Sequence, residues 1–198
     1  MNKWLAYFFS LFCAVLHQKH EPIRGVDMSK IAEISEKMAN QQERDLLFCA
    51  ATLVGEARSE GYDGMQAVMN VIQNRLASPV SWWHKEAGDN VQDDTLAAVC
   101  IDAWQFSCWN DGSKPKQKKD PNFERCAAMA DPDNFAENLK DKYFARAVSV
   151  ASLALHGELP DLTHGSTHYH TTGVSPAWSV GKKPAIVIGR HKFFNNVK

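Results

Sequence analysis

The chain has 198 residues, 44% of them hydrophobic and 23% charged, with a formal net charge of −1. That length suits one domain with a proper core and is short for two. The near-neutral balance argues against a dedicated nucleic-acid binder, which would be basic, and the composition is that of an ordinary globular protein.

Residues 4–16 are apolar apart from Ser10 and follow Lys3. As a helix this run would be about 20 Å long, short of the ~30 Å hydrocarbon core. The length fits the apolar region of a secretory signal. No good small-x-small cleavage site follows. Residues 1–18 are therefore expected to act as a cleaved signal peptide or as a signal anchor. Either role implies export. A buried N-terminal helix is the remaining reading.

Residues 19–40 are expected to hold a polar linker, with Pro22 and Gly25, and an amphipathic helix over 27–40 carrying Met28, Ile31, Ile34 and Met38. The main domain is assigned to residues 41–198. Its first helix is expected over 43–57, with Leu46, Leu47, Ala50, Leu53 and Val54 on the apolar side. A second, over 62–77, would bury Met65, Val68, Met69, Ile72 and Leu76, and Ser78-Pro79 would end it. Residues 95–100 read as a short apolar turn or helix. Residues 108–137 are rich in Asp, Asn, Lys and Pro and read mostly as loop, with a short helix near 123–130. Lys114, Lys116, Lys118 and Lys119 in that loop read as a solvated run, or as a contact for an anionic polymer or membrane surface. A long helix over 139–156 would turn Phe144, Ala147, Val148, Ala151 and Leu155 inward and end at Gly157. Residues 166–171 and 185–189 read as short strands.

Five cysteines are present. With Cys13 in the export segment, Cys49, Cys100, Cys108 and Cys126 remain. Cys100 and Cys108 flank an expected turn and could pair in an oxidising compartment. Cys49 reads as a buried core thiol. There is no CxxC, so neither a zinc ribbon nor a thioredoxin-type motif is supported.

The chemistry points to residues 55–61, where Glu56 and Glu60 stand four apart between glycines at the end of an apolar helix. Burying an ionised carboxylate without a partner is costly, so packing alone does not explain Glu56. A carboxyl in that setting suits a general acid for glycosidic cleavage. Glu60 would lie one turn further on the same face. It could support the site or position substrate, or it could be a salt bridge, for instance to Arg75. Gln105, Phe106 and Ser107 offer the amide, aromatic face and hydroxyl that sugar sites combine, although Phe106 could also be core. His168 and His170 share a strand face, with His164 and His191 in neighbouring blocks; that set could hold zinc, but no HExxH supports it.

Four blocks in order resemble the SleB/CwlJ-type cell wall hydrolases. The first is Gly55-Glu56-Ala57-Arg58-Ser59-Glu60-Gly61 with the following 64–68 and 71–75 segments. The second is Gln105-Phe106-Ser107-Cys108-Trp109. The third runs from Asp161 to His170, and the fourth comprises Pro176, Trp178 and residues 188–194. Ser59 stands where the family usually has a second glycine. The resemblance implies cleavage of the peptidoglycan glycan strand between N-acetylmuramic acid and N-acetylglucosamine, as a lytic transglycosylase using one carboxyl and no cofactor. It places Glu56 at the catalytic position and Thr163 near the acid. Tyr169 and Trp178 could line the glycan groove or belong to the core. The expected fold is α+β and mainly helical, a single lysozyme-like helical domain with a small C-terminal antiparallel sheet. The resemblance implies a monomer in a phage endolysin or a bacterial envelope enzyme, exported to the periplasm or cell envelope and either cleaved or anchored in the bacterial inner membrane. The alternatives are a metal-dependent peptidoglycan amidase or peptidase using the histidines, and an inactive wall-binding module.

Overall fold

The structure, a computed structural model, describes residues 30–80, 83–84, 92–102, 104–114 and 116–197. The expected signal or anchor over 1–18, the linker and Met28 lie outside the described residues. Among the described residues no helix is long and apolar enough to cross a membrane.

The architecture is mainly helical with one small antiparallel sheet, as the sequence predicts. Helix α1 spans Lys30–Lys37, α2 Gln41–Ala57, α3 Gly61–Leu76, α4 Leu96–Ile101, α5 Phe123–Ala130, α6 Phe135–Asn138 and α7 Lys142–Leu155. Strands β1 (His168–Thr171), β2 (Ile186–Ile188) and β3 (His191–Phe194) follow.

Helix α2 is the hub, and α3, α4, α5 and α7 all pack on it. Every residue from Leu46 to Val54 is buried, so this helix has no solvent face over its middle. A helix apolar all round belongs inside a core. Its start is set by Asn40, whose side chain accepts from the Glu43 amide at 2.9 Å, while Glu43 reaches back to the Ala39 amide at 2.7 Å. These bonds satisfy donors that the first helical turn leaves open. Asp45 on α2 accepts from the Ala97 amide at 2.8 Å and so fixes the start of α4.

Gly61 has φ +75, a conformation that glycine adopts without steric cost, and it lets the chain reverse between α2 and α3. Asp141 caps α7 by accepting from the Tyr143 amide at 2.7 Å, and it also takes a bond from Arg58 at 3.2 Å. The long C-terminal helix therefore starts three residues later than the apolar pattern suggests. The segment before it forms the short α6, with Phe135 packed edge-on to Phe144 at 6.2 Å.

The sheet order is β1-β3-β2. β3 pairs with β1 through Tyr169↔Phe193 and with β2 through Ile186↔Phe193. The sequence pattern gives β1 and β2 but not β3. The run His191-Lys192-Phe193-Phe194 lacks the alternation and β-branched residues that mark a strand. Burial accounts for it: Phe193 is fully enclosed against Ala67 and Val71 of α3. The sheet thus lies on α3 and brings β1 beside the end of α2.

Helix α1 is not a free linker. Ile31, Ile34 and Met38 join the main core, and Lys37 bonds Asp131 at 2.8 Å beyond α5. The 108–122 segment is irregular, as expected, but pinned: the Asp120 amide donates to the Asn110 carbonyl at 2.8 Å. Lys116 and Lys118 are exposed there, while Lys119 pairs with Glu124.

Candidate active site

Glu56 stands in the last turn of α2, half-buried. Two donors from distant segments converge on its carboxylate. The Tyr169 hydroxyl on β1 donates to Oε2 at 2.9 Å, and the Cys108 amide donates to Oε1 at 3.4 Å. Burial, and then the neighbouring Glu56 charge, push the Tyr169 phenol well above its ordinary value. Its proton therefore stays in place as a donor. The ring is held by a stack on Phe193 at 5.6 Å and by the edge of His191 at 5.2 Å.

Arg75 adds a positive charge from the far end of α3. It is buried, donates from Nε to the Thr167 carbonyl at 2.8 Å and from Nη1 to the Gln105 carbonyl at 3.2 Å. Its guanidinium lies over the Phe106 ring at 4.8 Å. Burial works against the charged guanidinium and lowers its pKa, and the nearby Glu56 carboxylate opposes that effect. Arg75 thus joins the 105–107 segment to the strand beside the acid. The sequence carries a signal for it, since Val68, Ile72 and Arg75 share one helical face, but that signal does not reveal its partners.

Glu60 sits in a different setting from Glu56. Its side chain is 5% exposed and faces Arg190 in the turn between β2 and β3. Oε2 accepts from the Arg190 amide at 2.8 Å and Oε1 from its Nε at 2.8 Å. Burial alone would raise this carboxyl, but the Arg190 amide and guanidinium and the Ser59 hydroxyl outweigh it and hold the group below its ordinary value. An ionised carboxylate held so closely has no proton to donate. Glu60 is the salt bridge that the sequence allows, made to Arg190 and not to Arg75. It ties the start of α3 to the sheet.

Several other expected residues are placed differently. Phe106 is 2% exposed and packs under Arg75 and beside Tyr169, so it offers no face to a sugar. Gln105 is half-buried and Ser107 exposed, so both can meet a ligand. Trp104 beside them is 57% exposed, with φ 72. Thr163 is fully buried, and its hydroxyl is committed to Asp161 at 2.7 Å and Asn74 at 3.2 Å. The hydroxyl beside Glu56 is thus that of Tyr169, not that of Thr163. Trp178 is half-buried and packs on His168, His170 and Phe194 at 5.2, 5.4 and 5.3 Å.

The histidines do not converge. Pairing across β1 and β3 puts His168 and His170 on one face of the sheet and His191 on the other, opposite Thr171. His168 lies between Trp83 and Trp178, with its pKa pushed down to about 4 by burial and then by Arg75. His191 is also held low, by burial that outweighs the nearby glutamates. His164 is exposed in the loop before β1. Among the described residues no group of three or more His, Cys, Asp or Glu is placed to hold a metal ion.

The expected Cys100–Cys108 bridge is not formed. Cys100 faces Cys49 across the core, with Sγ to Sγ 3.7 Å, and the Cys108 and Cys126 sulfurs both lie against Gly55; all four are buried free thiols. Proximity in sequence fails here because α4 turns the Cys100 side chain toward α2. A shallow depression lined by Gln73, Leu76, Ala77, Leu96, Ala154 and Leu155 carries no ionisable side chain and is separate from Glu56.

Comparison with curated proteins and with solved structures returned no match. A family model described as Cell Wall Hydrolase matches residues 59–194. The matched stretch contains Glu60, the 105–109 block, Tyr169, Trp178 and Arg190, and begins three residues after Glu56. With well over half of its length matched, and with its distant blocks folded around one carboxyl, the chain belongs to the Cell Wall Hydrolase family.

Proposed function

We propose that this cell wall hydrolase cleaves the glycan strand of peptidoglycan between N-acetylmuramic acid and N-acetylglucosamine as a lytic transglycosylase, with Glu56 as its one catalytic carboxyl. The observation that carries this reading is the unequal state of the two glutamates. Glu56 meets a hydroxyl and an amide in a half-buried site, whereas Glu60 is locked to Arg190. Ordinary retaining and inverting glycosidases need two working carboxyls. A transglycosylase needs one. Glu56 first protonates the leaving glycosidic oxygen. Its conjugate base then takes the proton from the muramic C6 hydroxyl as that oxygen closes on C1, giving a 1,6-anhydro end. The Tyr169 hydroxyl and Cys108 amide suit the interval between these steps, because both donate to the ionised carboxylate. Gln105 and Ser107 stand where amide and hydroxyl groups can hold an acetamido-sugar. The division of the histidines between two faces of the sheet favours this reading over a metal-dependent amidase. Membership of the family supports a role in the cell envelope, and the 1–18 segment is proposed to provide export or anchoring.

Glu56→Gln tests the acid. Activity on isolated peptidoglycan is expected to fall on the order of a hundredfold or more, with an unchanged melting temperature. Mass spectrometry of wild-type digests is expected to show anhydro-muramyl ends. Reducing ends would replace the transglycosylase with a muramidase, and free peptides would replace the glycan reading altogether.

A further inference from the structure

We propose that the four buried cysteines form two disulfides, Cys49–Cys100 and Cys108–Cys126, when the chain matures in an oxidising compartment. Cys49 Sγ on α2 lies 3.7 Å from Cys100 Sγ on α4. Cys108 neighbours Cys126 on α5, whose Sγ donates to the Ala51 carbonyl at 3.7 Å. Both of their sulfurs lie 2.9 Å from the point that a Cβ on Gly55 would occupy. A glycine inside a helix is unfavourable, and the close approach of this sulfur pair accounts for it. The pairs are separate, and each joins the hub helix or its neighbour α5 to one end of the same segment.

That segment is residues 100–108. It carries the exposed Trp104 and Ser107 and the half-buried Gln105. Its last residue donates its amide to Glu56. Two bridges would fasten both ends of this segment to the helical core and hold the Cys108 amide at the acid. The inference does not depend on which peptidoglycan bond is cut.

The chemistry balances as follows. Each pair of thiols loses two protons and two electrons as the S–S bond forms. The oxidant is a disulfide, of a small thiol or of an exchange catalyst, and it leaves as two thiols. In the folded state burial, then the partner thiol, push Cys49 and Cys108 well above the ordinary thiol range. Thiolate is scarce there, so exchange takes place before the core closes over the sulfurs.

The test refolds the full-length reduced chain in a buffer of reduced and oxidised glutathione with detergent, then alkylates free thiols. Trypsin leaves Cys100 and Cys108 in one peptide, because no Lys or Arg lies between them. Endoproteinase Asp-N cuts before Asp102 and separates them. Mass spectrometry is expected to show 49–100 and 108–126 linked peptides, with Cys13 alkylated. The bridged protein is expected to melt on the order of ten degrees higher than protein refolded in dithiothreitol. Four alkylated cysteines, a Cys100–Cys108 link or any link to Cys13 would overturn the proposal. A Cys49→Ala chain provides the second arm. It is expected to keep the 108–126 link and to leave Cys100 alkylated; re-pairing of Cys100 with Cys108 in that variant counts against the assignment.

Discussion

The Tyr169 hydroxyl donates to Glu56 Oε2 over 2.9 Å, joining the first strand to the end of the central helix across 113 residues of sequence. The bond makes the sheet part of the candidate site, since β1 aims the donor and β3 holds its ring through Phe193. Tyr169→Phe removes the hydroxyl and keeps both ring contacts. Hydrogen bonds to charged groups contribute about 1.5–3 kcal/mol, so activity is expected to fall on the order of tenfold or more. The same bond supports the fold, so the melting temperature is expected to fall by about a few degrees. Lysis assays and thermal melts check both, and full activity in a folded Tyr169→Phe protein would remove Tyr169 from the site.

Glu60→Gln separates anchor from acid. The folded carboxyl of Glu60 sits below its ordinary value of 4.5. Its stabilisation is therefore complete above that value and is lost as pH falls through the lower folded value. Near neutral pH Glu60→Gln is expected to melt below the wild type, by a modest amount because the Arg190 side chain is 70% exposed and screened. The gap is expected to narrow as pH drops below 4.5. Activity per folded molecule is expected to stay near wild type. Thermal melts across acid pH, with a turnover assay at neutral pH, test this; a folded but inactive Glu60→Gln protein would make Glu60 a catalytic group.

The long helices are legible in the sequence because their apolar residues recur at helical spacing; their ends are less so, since the side chains of Asn40 and Asp141 set two of them and the last helix starts three residues later than the pattern suggests. Glu56 is legible because an apolar helix does not otherwise end in an acid. The sequence does not disclose what surrounds it. Cys108 and Tyr169 lie 52 and 113 residues from Glu56, and Arg190 lies 130 from Glu60, and no local periodicity encodes those distances. Phe106 and Thr163 show the same limit. Each has side-chain chemistry that suits a sugar site, but tertiary packing uses that chemistry for the core and for the Asp161 loop. The cysteines show the same effect: the pair eight residues apart does not meet, and the pair 51 residues apart does.

Chelation tests the division of the histidines. His168 and His170 face Trp178 and Phe194, while His191 meets Tyr169 on the opposite side of β1 and β3. A shared ion would need both faces at once. Prolonged treatment with EDTA is expected to leave lytic activity unchanged. Loss of activity restored by added zinc would install the metal-dependent amidase in place of the Glu56 mechanism.

Truncation tests how much of the N-terminal region the fold requires. Ile31, Ile34 and Met38 are only 8%, 3% and 3% exposed in the core. Lys30 pairs with Glu124 and Lys37 with Asp131 and Asp133, which ties α1 to α5 and the turn after it. Asn40 caps α2. A chain beginning at Asp27 keeps all of these and is expected to be soluble, folded and active on isolated peptidoglycan. A chain beginning at Gln41 loses them together. Each buried Ile or Met contributes about 1.5–3 kcal/mol, and an N-cap about 1 kcal/mol. The sum is a large share of the roughly 5–15 kcal/mol that holds a domain together. The shorter chain is therefore expected to unfold, or to melt on the order of ten degrees or more lower. Circular dichroism melts of the two chains make the comparison. Equal stability would mean that α1 adds nothing to the fold, and unfolding of the Asp27 chain would count residues 1–26 as core instead of export signal.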